Sequence, residues 1–383
     1  MKLQLDKEQK YGFVLEGGGA KGSYQIGAWK AFAEAGIRVS GVAGASVGSL
    51  NGAMICMGNV EHACEIWENI TYSKVMDIDD TMMEKIFEKD WKGLNLHQLL
   101  ESGGKVLKEG GFDVTPLRKL ISEAVDVERI RASETELYIR TISLSDRKPL
   151  VVDVKKLEDN EIADMLLASA YLPAFKRERL EGKLYLDGGM YDNVPVDVLL
   201  DKGYDHIVEL RINGIGIDRH TQIPENVTLY KVEPSVDLGG ILEFDAQKSK
   251  RNIKLGYYDA MRLLYGLKGI HYYIDADYEE AECYESLVHM FTGFYKREGR
   301  TDMTLREINE KVFPRVAAKI CKNDTWTYET FYLRLLEHTA KELEIPRFNI
   351  YKKDELLGMI KEKVKNNPPK EVSEDHFVEL FME

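Results

Sequence analysis

Tyr11-Gly12-Phe13-Val14-Leu15-Glu16-Gly17-Gly18-Gly19-Ala20-Lys21-Gly22 is an apolar run that ends in a cluster of glycines. Apolar residues without alternation, closed by glycine, read as a strand buried on both faces. From Lys21 to Ala35 the pattern turns helical, with Tyr24, Ala28, Ala31, Phe32 and Ala35 on one side and Gly36 as the stop. The same order then repeats. A second strand, about Val39 to Gly44, leads into Ala45-Ser46-Val47 and a helix through Met57. Strand, glycine turn and helix, twice within 60 residues, predict the opening of a parallel α/β sheet.

Downstream, Leu137–Ser143 and Leu150–Val154 read as a hairpin, Ile162–Ala170 as a short helix, and Leu184-Tyr185-Leu186 as a strand ending at Asp187-Gly188-Gly189. His206–Ile212 and Val227–Val232 complete the expected sheet. Beyond about Ser235 the chain reads as nearly all helix, beginning with Leu238–Leu264. The expected division is an α/β domain over 1–268, with a mostly helical insertion at about 61–134, and a helical C-terminal region over 269–383. The uncharged stretch Val39–Val60 is long enough to cross a bilayer, but five glycines and several Ser and Asn residues argue against a span. A buried strand, turn and helix explain the missing charge better.

The full chain has 383 residues and a net charge of −13, with 44% hydrophobic and 31% charged residues. These proportions are those of a globular protein. The acidic balance argues against a nucleic-acid partner, because neutralising phosphates needs a basic face. Residues 1–240 carry 29 basic and 39 acidic side chains, a net of −10, which leaves −3 for the remainder. The excess therefore lies on the expected α/β portion and disfavours global attraction to anionic membranes. The first eight residues have no apolar core, so no signal peptide is expected. Four scattered cysteines suit a reducing cytoplasm, and no pattern calls for a metal or a cofactor.

Three motifs stand at strand ends. Gly17-Gly18-Gly19-Ala20-Lys21-Gly22 satisfies G-x-G-x-x-G, so a dinucleotide site must be weighed. That reading needs an acidic residue at the end of the second strand, where Gly44-Ala45-Ser46 stands instead. What survives is a turn presenting backbone N–H groups to developing negative charge. Gly44-Ala45-Ser46-Val47-Gly48 is a G-x-S-x-G between strand and helix, which would lift the Ser46 hydroxyl above the sheet and offer the Val47 N–H to an oxyanion. A serine nucleophile needs a base, and no histidine falls at the matching sheet edge; His206, for one, begins its strand at the opposite edge. Asp187, expected at the C-terminal edge of a parallel strand, is the candidate.

Together the three motifs resemble the patatin-like phospholipases. Gly17 to Gly22 match that family's oxyanion loop, Gly44 to Gly48 its nucleophile turn, and Asp187-Gly188-Gly189 its dyad aspartate. Ala168-Ser169-Ala170-Tyr171-Leu172-Pro173-Ala174-Phe175 and Asn193-Val194-Pro195 also resemble the family pattern, and the match runs from about Gly12 to Lys231. The resemblance implies an α/β fold in three layers, a central, mostly parallel sheet between helices, with a helical C-terminal region added. It implies a serine acyl-hydrolase acting on lipid esters through a Ser46–Asp187 dyad and an acyl-enzyme. Gly17, Gly18, Gly19 and Val47 would form the oxyanion hole, and Lys21 is a candidate for substrate binding. Gly22, Gly44, Gly48, Gly188, Gly189, Asn193 and Pro195 would shape the turns. The implied partner is a lipid or other acyl ester, with transient membrane-surface contact through a local patch such as Lys176 to Arg179; the sequence leaves the oligomeric state open. The alternative is a non-catalytic lipid or fatty-acid binder on the same fold.

Overall fold

The computed structural model describes residues 1–80, 111–321, 325–366 and 377–382. These residues divide into two compact units, Leu3–Leu264 and Tyr265–Glu383 with Met1–Lys2. The first unit opens with β1 (Tyr11–Leu15), α1 (Ser23–Glu34), β2 (Val39–Ala45), α2 (Val47–Met57) and α3 (Val60–Glu68). After residue 110 come α4 (Thr115–Ala124), α5 (Val127–Ala132), β3 (Glu136–Ser143), β4 (Lys148–Asp153) and α6 (Asp159–Ser169). β5 (Tyr185–Asp187), α7 (Val196–Asp201), β6 (His206–Leu210), β7 (Thr228–Val232) and α8 (Ala246–Tyr265) follow. The insertion expected over 61–134 lies partly outside the described residues.

The sheet has seven strands in the order β4-β3-β2-β1-β6-β7, with β5 also paired to β3. β3, β2, β1, β6 and β7 are parallel, and β4 and β5 run antiparallel to β3. β1 lies at the centre and all five of its residues are buried, as its unbroken apolar run predicts. Successive side chains alternate between faces. Phe13 meets Phe32 of α1 edge to face at 4.9 Å, while Val14 packs with Val196, Val198 and Leu199 of α7 on the other side. Helices therefore cover both faces, and the fold is three-layered.

Two sequence expectations are corrected. Asp187 does not end a parallel strand, because β5 is antiparallel to β3, its only strand partner among the described residues. The helix expected from Leu238 starts at Ala246, since Gly239 takes a positive φ of 98° and Gly239-Gly240 form a turn closed by Glu243. The second unit is mostly helical, with helices at Glu280–Arg297, Phe313–Ile320, Tyr328–Glu342 and Lys353–Asn366 around Phe291, Phe313 and Phe331. It also holds a parallel two-stranded sheet, Tyr273–Asp275 with Ile350–Lys352, that the sequence reading missed. Three-residue strands are too short to show a period.

Candidate active site

Ser46 stands between β2 and α2 with φ 54° and ψ −128°, a backbone conformation that costs a non-glycine residue about 1–3 kcal/mol. The flanking glycines are needed for steric reasons. A Cβ on Gly44 would lie 2.5 Å from the carbonyl of Gly48, and one on Gly48 would lie 2.2 Å from the carbonyl oxygen of Leu15. Strand, turn and helix close on one another at this point, which is what G-x-S-x-G permits. The strained turn is held from the side by Ser169, at the end of α6. Its Oγ accepts the N–H of Ser46 at 3.1 Å, meets Ser49 Oγ at 2.7 Å and donates to the carbonyl of Arg140 at 2.6 Å.

Asp187 reaches Ser46 because two strands meet head-on. β2 pairs with β3 up to Ala45–Arg140, and β5 takes over the same edge of β3 at Asp187–Thr141. The other edge at Thr141–Ser143 is occupied by β4. The end of β2 and the end of β5 therefore abut, and Ser46 Oγ donates to Asp187 Oδ2 at 2.5 Å. Gly188 makes room for this junction, since a Cβ there would sit 2.1 Å from the carbonyl oxygen of Arg140. Asp187 Oδ1 accepts the N–H of Gly189 at 2.8 Å. The carboxyl is 3% exposed, and burial pushes its pKa up from 3.8 to about 6, against the opposing pull of the bonds from Ser46 and Gly189.

The glycine loop lies on the other side of Ser46. Among the described residues no protein acceptor takes the N–H of Gly18, Gly19 or Val47. Gly17 is different, and its place among the oxyanion donors is corrected: its N–H donates to the carbonyl of Asn193 at 3.2 Å. Asn193 in turn donates through Nδ2 to the carbonyl of Gly17 at 3.0 Å, so this residue clamps the start of the loop. Pro195 precedes α7 and sets its first turn. Gly22 ends the loop against Val47 Cγ2. Lys21 Nζ donates to the carbonyl of Asn213 at 2.7 Å and so braces the segment after β6.

Glu16 and Ser169 were not singled out from the sequence. Glu16 is 1% exposed, and its carboxylate accepts the N–H groups of Ile212, Asn213 and Gly214 at 2.6, 3.1 and 3.0 Å and pairs with Arg211 at 3.2 Å. It thereby fixes the segment that packs against Gly17 and Gly18. A carboxylate closing a fully apolar strand is the one sequence signal that could have found it, because such a group must find partners when buried.

Ser46, Val47 and Gly19 border a cavity with about 860 Å³ of empty space, its open mouth included. Its walls are apolar, among them Leu50 and Met54 of α2, Trp67 of α3, Leu117 and Ile121 of α4, and Phe175. The described ends of the expected insertion thus line the cavity. No histidine among the described residues lines this cavity: His206 pairs in register with Tyr11 at the opposite sheet edge and stacks on Tyr230. Among the described residues no group of His, Cys, Asp and Glu side chains could hold a metal ion. A buried hydroxyl on a buried carboxylate, free backbone donors beside it and an apolar cavity can together hold and attack an acyl carbonyl.

Compared with known proteins, residues 13–200 match the family described as Patatin-like phospholipase. Among curated proteins the chain is similar to "Neuropathy target esterase sws" of Drosophila melanogaster, 28% identical over 209 residues. That alignment covers 53% of this chain but only 13% of the relative. Among solved structures it is similar to VipD from Legionella pneumophila, with a TM-score of 0.42 and 16% identity over 97% of this chain and 83% of that one.

Proposed function

We propose, from the match of residues 13–200 to the Patatin-like phospholipase family, that the protein is a serine acyl-hydrolase of lipid esters. The observation that carries the reading is the 2.5 Å hydrogen bond from Ser46 Oγ to a buried carboxylate at the edge of an apolar cavity. Ser46 gives its proton to Asp187 Oδ2 while Oγ attacks the acyl carbon. The N–H groups of Gly18 and Gly19, with that of Val47, receive the negative charge on the carbonyl oxygen. The tetrahedral intermediate collapses, the alcohol leaves with the proton held by Asp187, and the acyl group remains on Ser46. Asp187 then takes a proton from water, the resulting hydroxyl attacks the ester, and the acid departs as Ser46 regains its hydrogen.

A free aspartate is a weak base at neutral pH, with a pKa of about 3.9. Burial narrows that gap by holding Asp187 near 6 while leaving it ionised at pH 7. Hydrolysis of p-nitrophenyl acyl esters should fall by at least about 10³-fold in both Ser46→Ala and Asp187→Asn. Retention of full activity by Ser46→Ala would end the proposal. Fatty-acid binding by a wild-type protein that releases no p-nitrophenol would favour the non-catalytic binder instead.

For membrane-surface contact we propose a different patch from the one the sequence suggested. Of Lys176–Arg179, Arg177 bonds the carbonyl of Tyr185, Glu178 pairs with Arg118, and Arg179 bonds the carbonyl of Gly182. Met190, Ile215 and Ile217 are instead exposed by 43%, 71% and 51%. They lie on two segments joined by the bond from Ile217 N–H to the carbonyl of Gly189, beside Asp187. Apolar side chains here suit an uncharged lipid surface better than an anionic one. Four unpaired cysteines, two of them buried, support a cytoplasmic location. No helix of the described residues is long and apolar enough to cross a membrane.

A further inference from the structure

Asn51 lies on α2, five residues beyond Ser46, and is 2% exposed. Its amide is engaged at both ends. Oδ1 accepts the indole N–H of Trp67 at 3.0 Å, and Nδ2 donates to the carbonyl of Gly22 at 2.9 Å and to Gln25 Oε1 at 2.8 Å. Gln25 Nε2 continues the chain to the carbonyls of Glu16 at 2.8 Å and Leu210 at 3.3 Å. Glu16 and Gly22 bracket the glycine loop, so one connected network holds the carbonyls on both sides of the free N–H groups. Its far end is Trp67, which lines the cavity beside Ser46.

We propose that Asn51 is a positioning residue for the oxyanion loop, and that Trp67, held through it, is a specificity-determining residue for the acyl chain; this rests on the acyl-hydrolase reading. The chemistry needed at position 51 is narrow. One acceptor and two donors must be presented from a short side chain in a dry site, and only an amide supplies both. A leucine of similar size leaves the indole N–H, the Gly22 carbonyl and Gln25 Oε1 without their partner, and buried polar groups of this kind drive rearrangement. The loop would then hold Gly18 and Gly19 less closely on the carbonyl oxygen. That loss is felt as charge develops in the transition state, not when the ester first binds. Trp67 would lose the bond that fixes its ring, and the wall it forms would no longer discriminate chain lengths.

The test compares p-nitrophenyl acetate with p-nitrophenyl decanoate in the full chain. Asn51→Leu should lower kcat on acetate about 10–100-fold with KM changed less than about threefold, in protein whose circular dichroism matches wild type. Gln25→Met, which breaks the same network one bond further on, should lower kcat by a smaller factor and covers the case in which Asn51→Leu fails to fold. Trp67→Phe removes the N–H but keeps an aromatic ring, and should change the decanoate-to-acetate ratio of kcat/KM at least about fivefold. Folded Asn51→Leu or Gln25→Met with wild-type kcat would overturn the positioning role. An unchanged chain-length ratio in Trp67→Phe would overturn the specificity role. Ser46→Ala, run alongside, separates the two levels: if it is inactive while Asn51→Leu is not impaired, this inference alone fails, and if it is active the underlying reading fails.

Discussion

Asp187 carries the main electrostatic cost of the site. Its carboxyl is buried, two hydrogen bonds offset only part of the desolvation, and its pKa stands at about 6. Catalysis by its ionised form predicts that kcat/KM falls about tenfold per pH unit below about 6, with one ionising group, and stays level from about 7 to 8. A profile with no inflection between pH 5 and 7 would count against Asp187 as the base. The same shift bears on stability. The folded pKa is raised, so between about 4 and 6 the folded chain holds a proton that the unfolded chain has lost, and stability declines as pH rises through that window. Above it the full cost, on the order of 3 kcal/mol, is present. Asp187→Asn should therefore raise Tm at pH 8 and change it much less at pH 4, as differential scanning calorimetry would record. Asp187 was legible in the sequence as a residue, from Asp-Gly-Gly after an apolar triplet. Its raised pKa comes from burial, which no short motif displays.

The element that brings Ser46 and Asp187 together is the meeting of β2 and β5 along one edge of β3. Ser169 holds the Ser46 side of that junction through the N–H of Ser46. Ser169→Ala should lower kcat by about tenfold, the worth of one buried hydrogen bond, and steady-state kinetics on a p-nitrophenyl ester would read it. Unchanged kcat would mean that the flanking glycines hold the turn unaided. The first two strand–turn–helix units were legible because runs of five to seven apolar residues and a glycine cluster are long enough to carry a pattern. β5 was not. Tyr185-Leu186-Asp187 is too short to reveal a direction, and antiparallel pairing to β3 depends on residues more than 40 positions away in sequence. The roles of Glu16, Asn51 and Ser169 were hidden for another reason: each is a single polar residue that bonds backbone groups as well as side chains distant in sequence, and such bonds have no sequence signature.

At the scale of the molecule, the proposed contact with a lipid surface rests on charge and on apolar loop tips. A net charge of −13 argues against anionic bilayers, while the exposed Met190, Ile215 and Ile217 beside Asp187 suit an uncharged surface. Ile215→Glu with Ile217→Glu should reduce hydrolysis of phosphatidylcholine vesicles several-fold relative to a monomeric short-chain ester, by mass-spectrometric assay of released fatty acid. Equal losses on both substrates would place these residues outside surface binding. The repeated strand, glycine turn and helix indicated a large α/β portion with helix after it, but the small sheet of the second unit lay below the resolution of any periodic reading. The central claim is that Ser46 is acylated with Asp187 as its base. Its most direct test is peptide-mapped mass spectrometry after reaction with a fluorophosphonate. The account predicts one adduct, on the peptide containing Ser46, absent in Ser46→Ala and formed far more slowly in Asp187→Asn; an active protein that takes up no label at Ser46, or an adduct that persists in Ser46→Ala, would contradict it.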